Sequence, residues 1–187
     1  MSQLPLFSTE PALPDGFRYR PDLVSAEEER LLVEHLRELP FQEFQFQGYV
    51  GKRRVVSYGW RYDFNQRELQ PAEPLPPFLL SVRAAAAGWA EIDPARLEHV
   101  LITEYAPGAG IGWHRDKREF GEVIGVLLLS PALFRLRRQT GHTWERASLR
   151  LEPRSAYLLR GPARTEWEHS IPEAETLRYS LTFRTLR

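Results

Sequence analysis

Two histidines and one aspartate in this sequence are well suited to hold a transition metal. His114 and Asp116 are two residues apart, and His169 follows much later. Side chains two apart on a β-strand leave the same face, so His114 and Asp116 are expected to point together and Arg115 away. A lone His-x-Asp pair is weak evidence for a metal site. Together with His169, however, it would form the facial triad typical of iron oxygenases. The absence of cysteine disfavours thiolate zinc and iron–sulfur sites.

A candidate cosubstrate clamp follows the last of these residues. In Arg178-Tyr-Ser-Leu-Thr-Phe-Arg184, alternation predicts one apolar face and one polar face that carries both arginines. A guanidinium is a planar donor fork that matches carboxylates. A solvated outer face is the alternative. Because the strand follows a candidate metal ligand so closely, a dicarboxylate clamp is favoured, which indicates an oxygen-activating iron enzyme that consumes 2-oxoglutarate.

The same segments resemble a known family. Arg178-x-Ser-x-Thr-x-Arg184 is similar to the Arg-x-Asn-x-Thr-x-Arg signature of the AlkB family of iron- and 2-oxoglutarate-dependent dioxygenases. Leu101-Ile-Thr-Glu-Tyr105-Ala-Pro-Gly108 resembles that family's Asn-x-Tyr-x-x-Gly segment, which leads into its His-x-Asp pair. The resemblance covers residues 55 to 187.

The resemblance implies the cofactors and the residues that hold them. Fe(II) would be bound by His114, Asp116 and His169. 2-Oxoglutarate would be contacted by Tyr105, Arg178 and Arg184, and O2 would be the second cosubstrate. The activity implied is oxidative demethylation of alkylated nucleic-acid bases, with formaldehyde, succinate and CO2 as products.

Three positions depart from the family pattern. Thr103 and Ser180 stand where the family usually has asparagine, and both keep a shorter hydrogen-bonding group for cosubstrate binding. Arg118 lies where DNA-repair members can carry an acidic residue near the substrate base. These departures leave the chemistry in place and leave the substrate open.

The remaining pattern predicts a mainly β (α+β) fold. Ser25 and Glu28 form a capping box at the start of one helix, and a second helix is expected from Phe78 to Trp89. From His99 onward, short strands without alternating helices favour a sandwich or jelly roll, with the helices on one sheet. That agrees with the double-stranded β-helix implied by the resemblance. The expected strands are Val100–Tyr105, Gly112–His114, Val123–Leu129, Leu133–Arg138, Ala147–Leu151, Ala156–Leu159, Glu168–Ile171 and Arg178–Arg184.

Length and composition predict one soluble domain. The 187 residues divide into a flexible tail, residues 1–16, and a single domain, residues 17–187. No apolar run is long enough to span a membrane, and no secretory signal is present, so a cytoplasmic monomer is expected. Net charge is zero, which gives no global footprint for nucleic acid. Basic residues are nevertheless concentrated at Lys52–Arg54 and after Phe134, either as a phosphate-binding face or as solvated strand edges.

Aromatic residues before the metal motif are candidates for substrate contacts. Enzymes that act on single-stranded or flipped bases need aromatic faces for stacking. The resembled family covers its substrate with a lid in this region. Trp60 and Tyr62 are the leading candidates, followed by Tyr58 and Arg118, and a buried aromatic strand is the alternative.

The tail contains a candidate docking peptide. Gln3-Leu-Pro-Leu-Phe7 resembles the Gln-Leu-x-Leu-Phe peptide with which bacterial repair proteins bind the sliding clamp. Leu6 and Phe7 would be adjacent apolar anchors for peptide-in-groove recognition. If this interpretation holds, the enzyme works at DNA.

Two other functions remain open from the sequence. The same oxygenase chemistry can act on a protein side chain or a small metabolite, and zero net charge with Arg118 leaves this open. A non-catalytic jelly-roll binding module is the other alternative. The intact ligand set and both arginines count against it.

Overall fold

A computed structural model describes residues 12–46 and 49–187 of the chain. Within these ranges strands dominate, as predicted. The helices are α1 Ala26–Arg37, α2 Leu80–Ala90 and α3 Gly161–Thr165. The strands are β1 Phe17–Arg20, β2 Gln42–Phe46, β3 Tyr49–Tyr58, β4 Trp60–Asp63, β5 Glu68–Pro71, β6 Leu97–Tyr105, β7 Ile111–His114, β8 Phe120–Leu128, β9 Ala132–Thr140, β10 Thr143–Leu151, β11 Ala156–Leu159, β12 Glu168–Ile171 and β13 Arg178–Leu186.

The strands form two main antiparallel sheets and a small hairpin. The large sheet has the order β1-β11-β8-β13-β6-β3-β2, and the four-stranded sheet has the order β10-β9-β12-β7. Strands β4 and β5 pair separately. The predicted mainly β jelly roll with helices on one sheet is therefore confirmed.

Both predicted helices are present. Ser25 Oγ accepts a hydrogen bond from the Glu28 backbone N–H at 3.2 Å, and the Glu28 carboxylate accepts one from the Ser25 N–H at 2.7 Å. This capping box satisfies two N–H groups that the first turn of α1 leaves unpaired. The second helix begins as a 3-10 turn at Pro77–Leu79 and continues as α2.

The helices cover the outer face of the large sheet. The apolar side of β13 (Tyr179, Leu181 and Phe183) packs with buried residues of α1 and α2. Ala86 and Ala87 are fully buried there, so small side chains let α2 lie close to the strands. This packing leaves the other face of β13 toward the four-stranded sheet, which we call the inner face.

A second apolar core fills the space between the two sheets. Leu127 and Tyr157 from the large sheet meet Phe134 and Leu136 from β9, and all four are buried. Tyr157 lies directly on Gly125, where an added Cβ would overlap the tyrosine ring. Only glycine fits at this position of β8, because any side chain would meet the ring.

The start of the described chain is joined to α3. The backbone N–H of Ala163 donates to the carbonyl of Asp15 at 2.9 Å, and that of Arg160 donates to Gly16 at 3.0 Å. The candidate docking peptide, Gln3–Phe7, lies outside the described residues. No helix in the described ranges is both long and apolar enough to cross a membrane.

Candidate metal and cosubstrate site

The structure brings the three predicted metal ligands together on the inner side of the four-stranded sheet. His114, at the end of β7, pairs in register with His169 of β12, and their ring centroids are 4.2 Å apart. Asp116 Oδ2 lies 3.8 Å from His169 Nε2. Strand β7 ends at His114, so Asp116 lies in the following loop. The sequence argument used strand alternation to predict the direction of the Asp116 side chain. Because Asp116 lies in a loop, that argument was wrong even though the residue lies beside His169.

Both imidazoles are held in the neutral form that binds metals. His114 Nδ1 donates to the Gly112 carbonyl at 2.8 Å, which leaves Nε2 as its lone-pair nitrogen. Burial lowers the pKa of His114. Burial and the neighbouring His114 lower the pKa of His169 to about 3. Neutral imidazoles can coordinate a metal without first losing a proton.

Arg184 fixes the carboxylate of Asp116. Its Nε donates to Asp116 Oδ1 at 2.8 Å, and Nη2 lies 2.6 Å from the same oxygen. Burial alone would raise the pKa of Asp116, but the charge of the adjacent Arg184 guanidinium holds it well below its usual range. Asp116 is therefore ionised, with Oδ1 taken by Arg184 and Oδ2 facing His169.

The three side chains are neighbours whose donor atoms suit iron, but they are not arranged at metal-bonding distances from one point. Within residues 12–46 and 49–187, no three His, Cys, Asp or Glu side chains already surround one point at metal-bonding geometry. Two neutral imidazoles and one ionised carboxylate nevertheless match the facial triad of non-haem Fe(II) oxygenases. His114, Asp116 and His169 are thus the candidate metal ligands.

Arg178 provides an independent indication of an anionic ligand. It is 1% exposed, and its guanidinium carbon lies 3.8 Å above the centroid of the Tyr105 ring. Both Nη1 and Nη2 are buried without a hydrogen-bond partner among the described residues. A buried charge without partners is costly, and the two nitrogens match the two oxygens of a carboxylate. The site therefore fits a carboxylate of 2-oxoglutarate at Arg178.

The other predicted cosubstrate residues line the same inner face. Arg178 is paired in register with Tyr105, and Ser180 with Thr103. Thr103 and Ser180 are 3% and 6% exposed, so their hydroxyls are enclosed with the arginine. The structure thus groups all five predicted cosubstrate residues on β6 and β13, with Arg184 at the metal end and Arg178 at the far end.

An aromatic stack supports His169 from behind. Its ring lies 5.2 Å from Phe134 with an interplanar angle of 17°, and Phe134 in turn lies 4.6 Å from Tyr157. Tyr157 rests on Gly125 of the large sheet. The stack joins the two sheets at the metal ligand and limits how far the imidazole can move.

Arg164 holds the loop that follows Asp116. This α3 residue is 6% exposed, and it donates to the carbonyls of Lys117, Phe120 and Gly121 at 2.6, 2.7 and 2.8 Å. Three bonds from one guanidinium fix the loop conformation, and through it the start of β8. Nothing in the local sequence around Arg164 indicates this long-range role.

One of the predicted substrate residues, Tyr62, lies near the metal loop. Tyr62 is 4.7 Å from the Lys117 ammonium nitrogen, measured to the ring centroid, and Lys117 directly follows Asp116. Phe64 packs edge-on against Tyr62 at 5.1 Å and also lies 5.0 Å from Lys117. Trp60 is half-buried on the same strand as Tyr62, two residues before it.

The other two substrate candidates do not join this cluster. Tyr58 is partly buried and packs against the helix-covered core, on the side of the large sheet opposite the site, so the structure places it away from the predicted substrate contacts. The reason is Gly59, whose φ of 78° ends β3 and breaks the alternation that would have grouped Tyr58 with Trp60. Arg118 is exposed in the turn between Asp116 and β8.

Sequence reasoning missed two residues of the inner face. His99 is 2% exposed and lies 3.4 Å from Arg184, and burial lowers its pKa well below the ordinary value. Arg53 is half-buried with its guanidinium 3.9 Å above the Phe44 ring, and burial lowers its pKa. In the sequence, Arg53 stood out only as part of the basic spot Lys52–Arg54, and the pairing of Val55 with Thr103 in the structure puts Arg53 on the inner face.

Together, the jelly roll, the His/Asp/His group and the buried arginines define an iron- and 2-oxoglutarate-dependent oxygenase. In agreement, residues 16–184 match the 2OG-Fe(II) oxygenase superfamily. The chain belongs to this superfamily, and its relatives identify it as AlkB-like. It is therefore a dioxygenase that uses Fe(II), 2-oxoglutarate and O2.

Three of the relatives are 26–30% identical to this chain. The chain is 26% identical over 147 residues to the alkylated DNA repair protein ALKBH8 homolog of Arabidopsis thaliana, covering 66% of this chain and 42% of that protein. It is 28% identical to the mouse tRNA (carboxymethyluridine(34)-5-O)-methyltransferase ALKBH8, covering 86% and 24%. It is 30% identical to the mitochondrial alpha-ketoglutarate-dependent dioxygenase alkB homolog 7 of Bos taurus, covering 85% and 68%.

A solved structure has the same fold. That of OsALKBH1 superposes with a TM-score of 0.74 at 16% identity, covering 93% of this chain and 98% of that one. The chain spans less than half the length of the two ALKBH8 proteins it matches. Those proteins therefore contain long regions that have no counterpart in this sequence.

Proposed function

We propose that the protein oxidatively demethylates alkylated nucleic-acid bases. The observation that carries this proposal is the cluster of Tyr62, Phe64 and Lys117 beside the metal loop. Aromatic faces stack on bases, and an ammonium group attracts the phosphates next to them. The names of the ALKBH8 relatives, a DNA repair protein and a tRNA methyltransferase, support the same substrate class.

Each residue of the metal site has a role in the proposed reaction. His114, Asp116 and His169 would hold Fe(II), and Arg184 keeps the Asp116 carboxylate ionised and oriented. Bound at this site, Fe(II) with 2-oxoglutarate and O2 would supply the oxidising power to insert one oxygen atom into a C–H bond, with succinate and CO2 as the products of the cosubstrate. A hydroxylated N-methyl group then leaves as formaldehyde, and the base nitrogen is restored.

Cosubstrate binding follows from the buried side chains of β6 and β13. The two Nη groups of Arg178, which have no hydrogen-bond partner in the described part of the chain, would receive the far carboxylate of 2-oxoglutarate, and the Tyr105 ring under the guanidinium fixes its plane. The hydroxyls of Thr103 and Ser180 line the path between Arg178 and the metal. A buried, preorganised clamp of this kind orients the cosubstrate and excludes water.

One alternative keeps the chemistry and changes the substrate to a protein side chain or small metabolite. The observation in its favour is that the predicted basic spot is partly neutralised. Lys52 pairs with Glu173 at 3.5 Å and Arg54 pairs with Glu104 at 2.6 Å. These pairs weaken the attraction that this face would have for a phosphate backbone.

Formaldehyde release tests the proposal directly. The substrate is a single-stranded oligonucleotide with 1-methyladenine or 3-methylcytosine, supplied with Fe(II), ascorbate and 2-oxoglutarate, and His114→Ala is the control. We expect the wild-type protein to release formaldehyde and His114→Ala to release none. Succinate without formaldehyde would favour the alternative substrates. The absence of both products would favour a non-catalytic binding module.

We also propose that Gln3–Phe7 docks on a bacterial sliding clamp, on the sequence pattern alone. A peptide of residues 1–12 is expected to bind the clamp, and replacing Leu6 and Phe7 by alanine should abolish binding. No binding at high micromolar concentration would rule this out.

A further inference from the structure

The outer surface of the four-stranded sheet carries an ordered group of tryptophans and arginines. Phe134 and Leu136 of β9 point into the inter-sheet core, so Arg135 and Arg137, which alternate with them along the strand, point outward. We call the outward group of Trp113, Arg135, Arg137 and Trp144 the Trp–Arg patch. It lies on the opposite side of the sheet from the metal ligands.

The patch is a continuous stack. The Arg137 guanidinium carbon is 4.4 Å from the ring centroid of Trp113 and 4.4 Å from that of Trp144. Arg135 lies 5.3 Å from Trp113 on the same surface. One guanidinium thus bridges two indoles across the sheet, about 14 Å from β7 to β10 at the usual strand spacing.

Hydrogen bonds hold the patch in place. Arg137 Nε donates to Glu168 at 2.6 Å, and Arg135 Nε donates to the Ser170 hydroxyl at 3.1 Å. Each guanidinium is therefore fixed over its ring before any ligand arrives. Trp144 remains 41% exposed, which is unusual for so large an apolar side chain and leaves part of it open to a ligand.

The surface around the stack carries excess positive charge. Arg146 and Arg150 of β10 are exposed and have the same outward parity as Trp144. With Arg135 and Arg137 they make four arginines, against the two glutamates Glu168 and Glu152 that pair with Arg137 and Arg150. The excess is two positive charges next to an exposed aromatic face.

We propose that the Trp–Arg patch binds single-stranded nucleic acid that flanks the target base, an inference that rests on the function proposed above. A flat exposed indole beside arginines is the combination that single-strand binding proteins use for bases and phosphates. Trp113 is adjacent to His114, and β7 is the edge strand of its sheet. A strand that leaves the metal site over this edge meets Trp113 first and Trp144 last.

Charge argues against a second copy of this chain as the occupant. A two-fold interface places the same surface against itself, so four arginines of one copy would face four of the other. Like charges in such contact are unfavourable. A single-stranded nucleic acid has phosphates that neutralise the arginines and bases that stack on the exposed indole. A second copy of this chain provides neither.

Binding of unmodified oligonucleotides to the full-length protein tests the proposal. Fluorescence anisotropy compares a labelled three-nucleotide strand with a fifteen-nucleotide strand, since only the longer one reaches the patch. Trp144→Leu is expected to weaken Kd for the longer strand about tenfold, from the loss of one stacked base. Trp144→Phe should retain most of the affinity, and Arg20→Ala, an exposed arginine on β1, is the charge control.

Salt dependence and turnover sharpen the result. Arg146→Gln with Arg150→Gln should reduce the slope of log K against log salt by about 0.7 for each phosphate that is no longer neutralised. Formaldehyde release from a methylated three-nucleotide strand should be unchanged in all these variants. Unchanged affinity of Trp144→Leu for the longer strand, or an equal loss in Arg20→Ala, would overturn the proposal.

The outcomes separate this inference from the proposed function. If the wild type releases no formaldehyde but the affinity loss follows Trp144, the demethylase proposal fails and the patch stands. If demethylation of long strands proceeds with wild-type KM in Trp144→Leu, the patch fails and the function stands. A dimer in sedimentation that Trp144→Leu dissociates would assign the surface to a second copy.

Discussion

The two ends of the polar face of β13 differ in how their arginines are satisfied. Arg184, at the metal end, pairs with Asp116 inside the protein. Arg178, at the far end, is more deeply buried, yet both of its Nη groups lack partners among the described residues. One end is thus completed by the protein's own charges, and the other is completed only by a ligand. The comparison separates residues that stabilise the fold from residues that bind the cosubstrate.

Asp116→Ala breaks the completed end and should have the largest effect. It leaves the Arg184 guanidinium buried without its partner, which costs about 3–5 kcal/mol of unfolding free energy. It also removes a candidate ligand, so iron-dependent turnover should be lost. Urea unfolding and metal titration measure the two effects.

A double variant provides the control. Asp116→Leu with Arg184→Leu removes both charges and should recover much of the lost stability, because paired buried charges are close to neutral relative to apolar residues. A loss below about 1 kcal/mol in Asp116→Ala would contradict the buried ion pair.

Arg178→Met tests the incomplete end and should separate binding from stability. The KM for 2-oxoglutarate is expected to rise about 100-fold, since charged hydrogen bonds contribute about 1.5–3 kcal/mol each. Unfolding free energy without cosubstrate should be unchanged or higher, because the variant removes a buried charge whose Nη groups are unsatisfied. The thermal shift on adding 2-oxoglutarate should disappear. Destabilisation of the cosubstrate-free protein comparable with that of Asp116→Ala would show that the two ends do not differ.

Gly125→Ala tests the support behind the metal end. The added methyl group would meet the Tyr157 ring, which must then shift together with Phe134, at a cost of about 1–3 kcal/mol. Gly88→Ala in α2 is the matched control, because no atom of the residues that the structure describes lies within 4 Å of its added Cβ and alanine favours helix by up to about 1 kcal/mol. Thermal unfolding of both variants measures the difference, and equal stability would refute the tight contact.

Ser180→Asn should have the smallest effect of the substitutions on the polar face of β13. It installs the longer hydrogen-bonding group usual in the resembled family. One added neutral hydrogen bond should lower the KM for 2-oxoglutarate about 2- to 10-fold. Thr103→Asn, its partner on β6, is the companion variant, and a higher KM in both would mean that the enclosed space is too small for asparagine.

Local periodicity was enough to predict the β13 face and most of the strands. The alternation from Arg178 to Arg184 separates core from site, and the strand pairs as that pattern requires. The metal ligands were found from residue types, although Asp116 owes its position to Arg184 and a loop. Such contacts join residues far apart in the chain, so no local pattern records them.

The errors have the same origin. Tyr58 has the parity of Trp60 and Tyr62 in the sequence, but Gly59 turns the chain between them. His99 contacts Arg184 from a strand that lies 85 residues earlier in the chain, and Arg164 reaches the metal loop from α3. Strand register and loop anchoring depend on the whole sheet, and a single sequence does not reveal them.

The position of β13 has a consequence for how the enzyme is made. It follows every other strand of this domain in the chain, yet it lies between β8 and β6 in the middle of the large sheet. It supplies both Arg178 and Arg184. During synthesis, an emerging chain therefore has His114 and Asp116 long before the strand that orients Asp116 and binds 2-oxoglutarate. Non-local pairing of this kind is slow, so oxidising capacity should arise only when folding is complete.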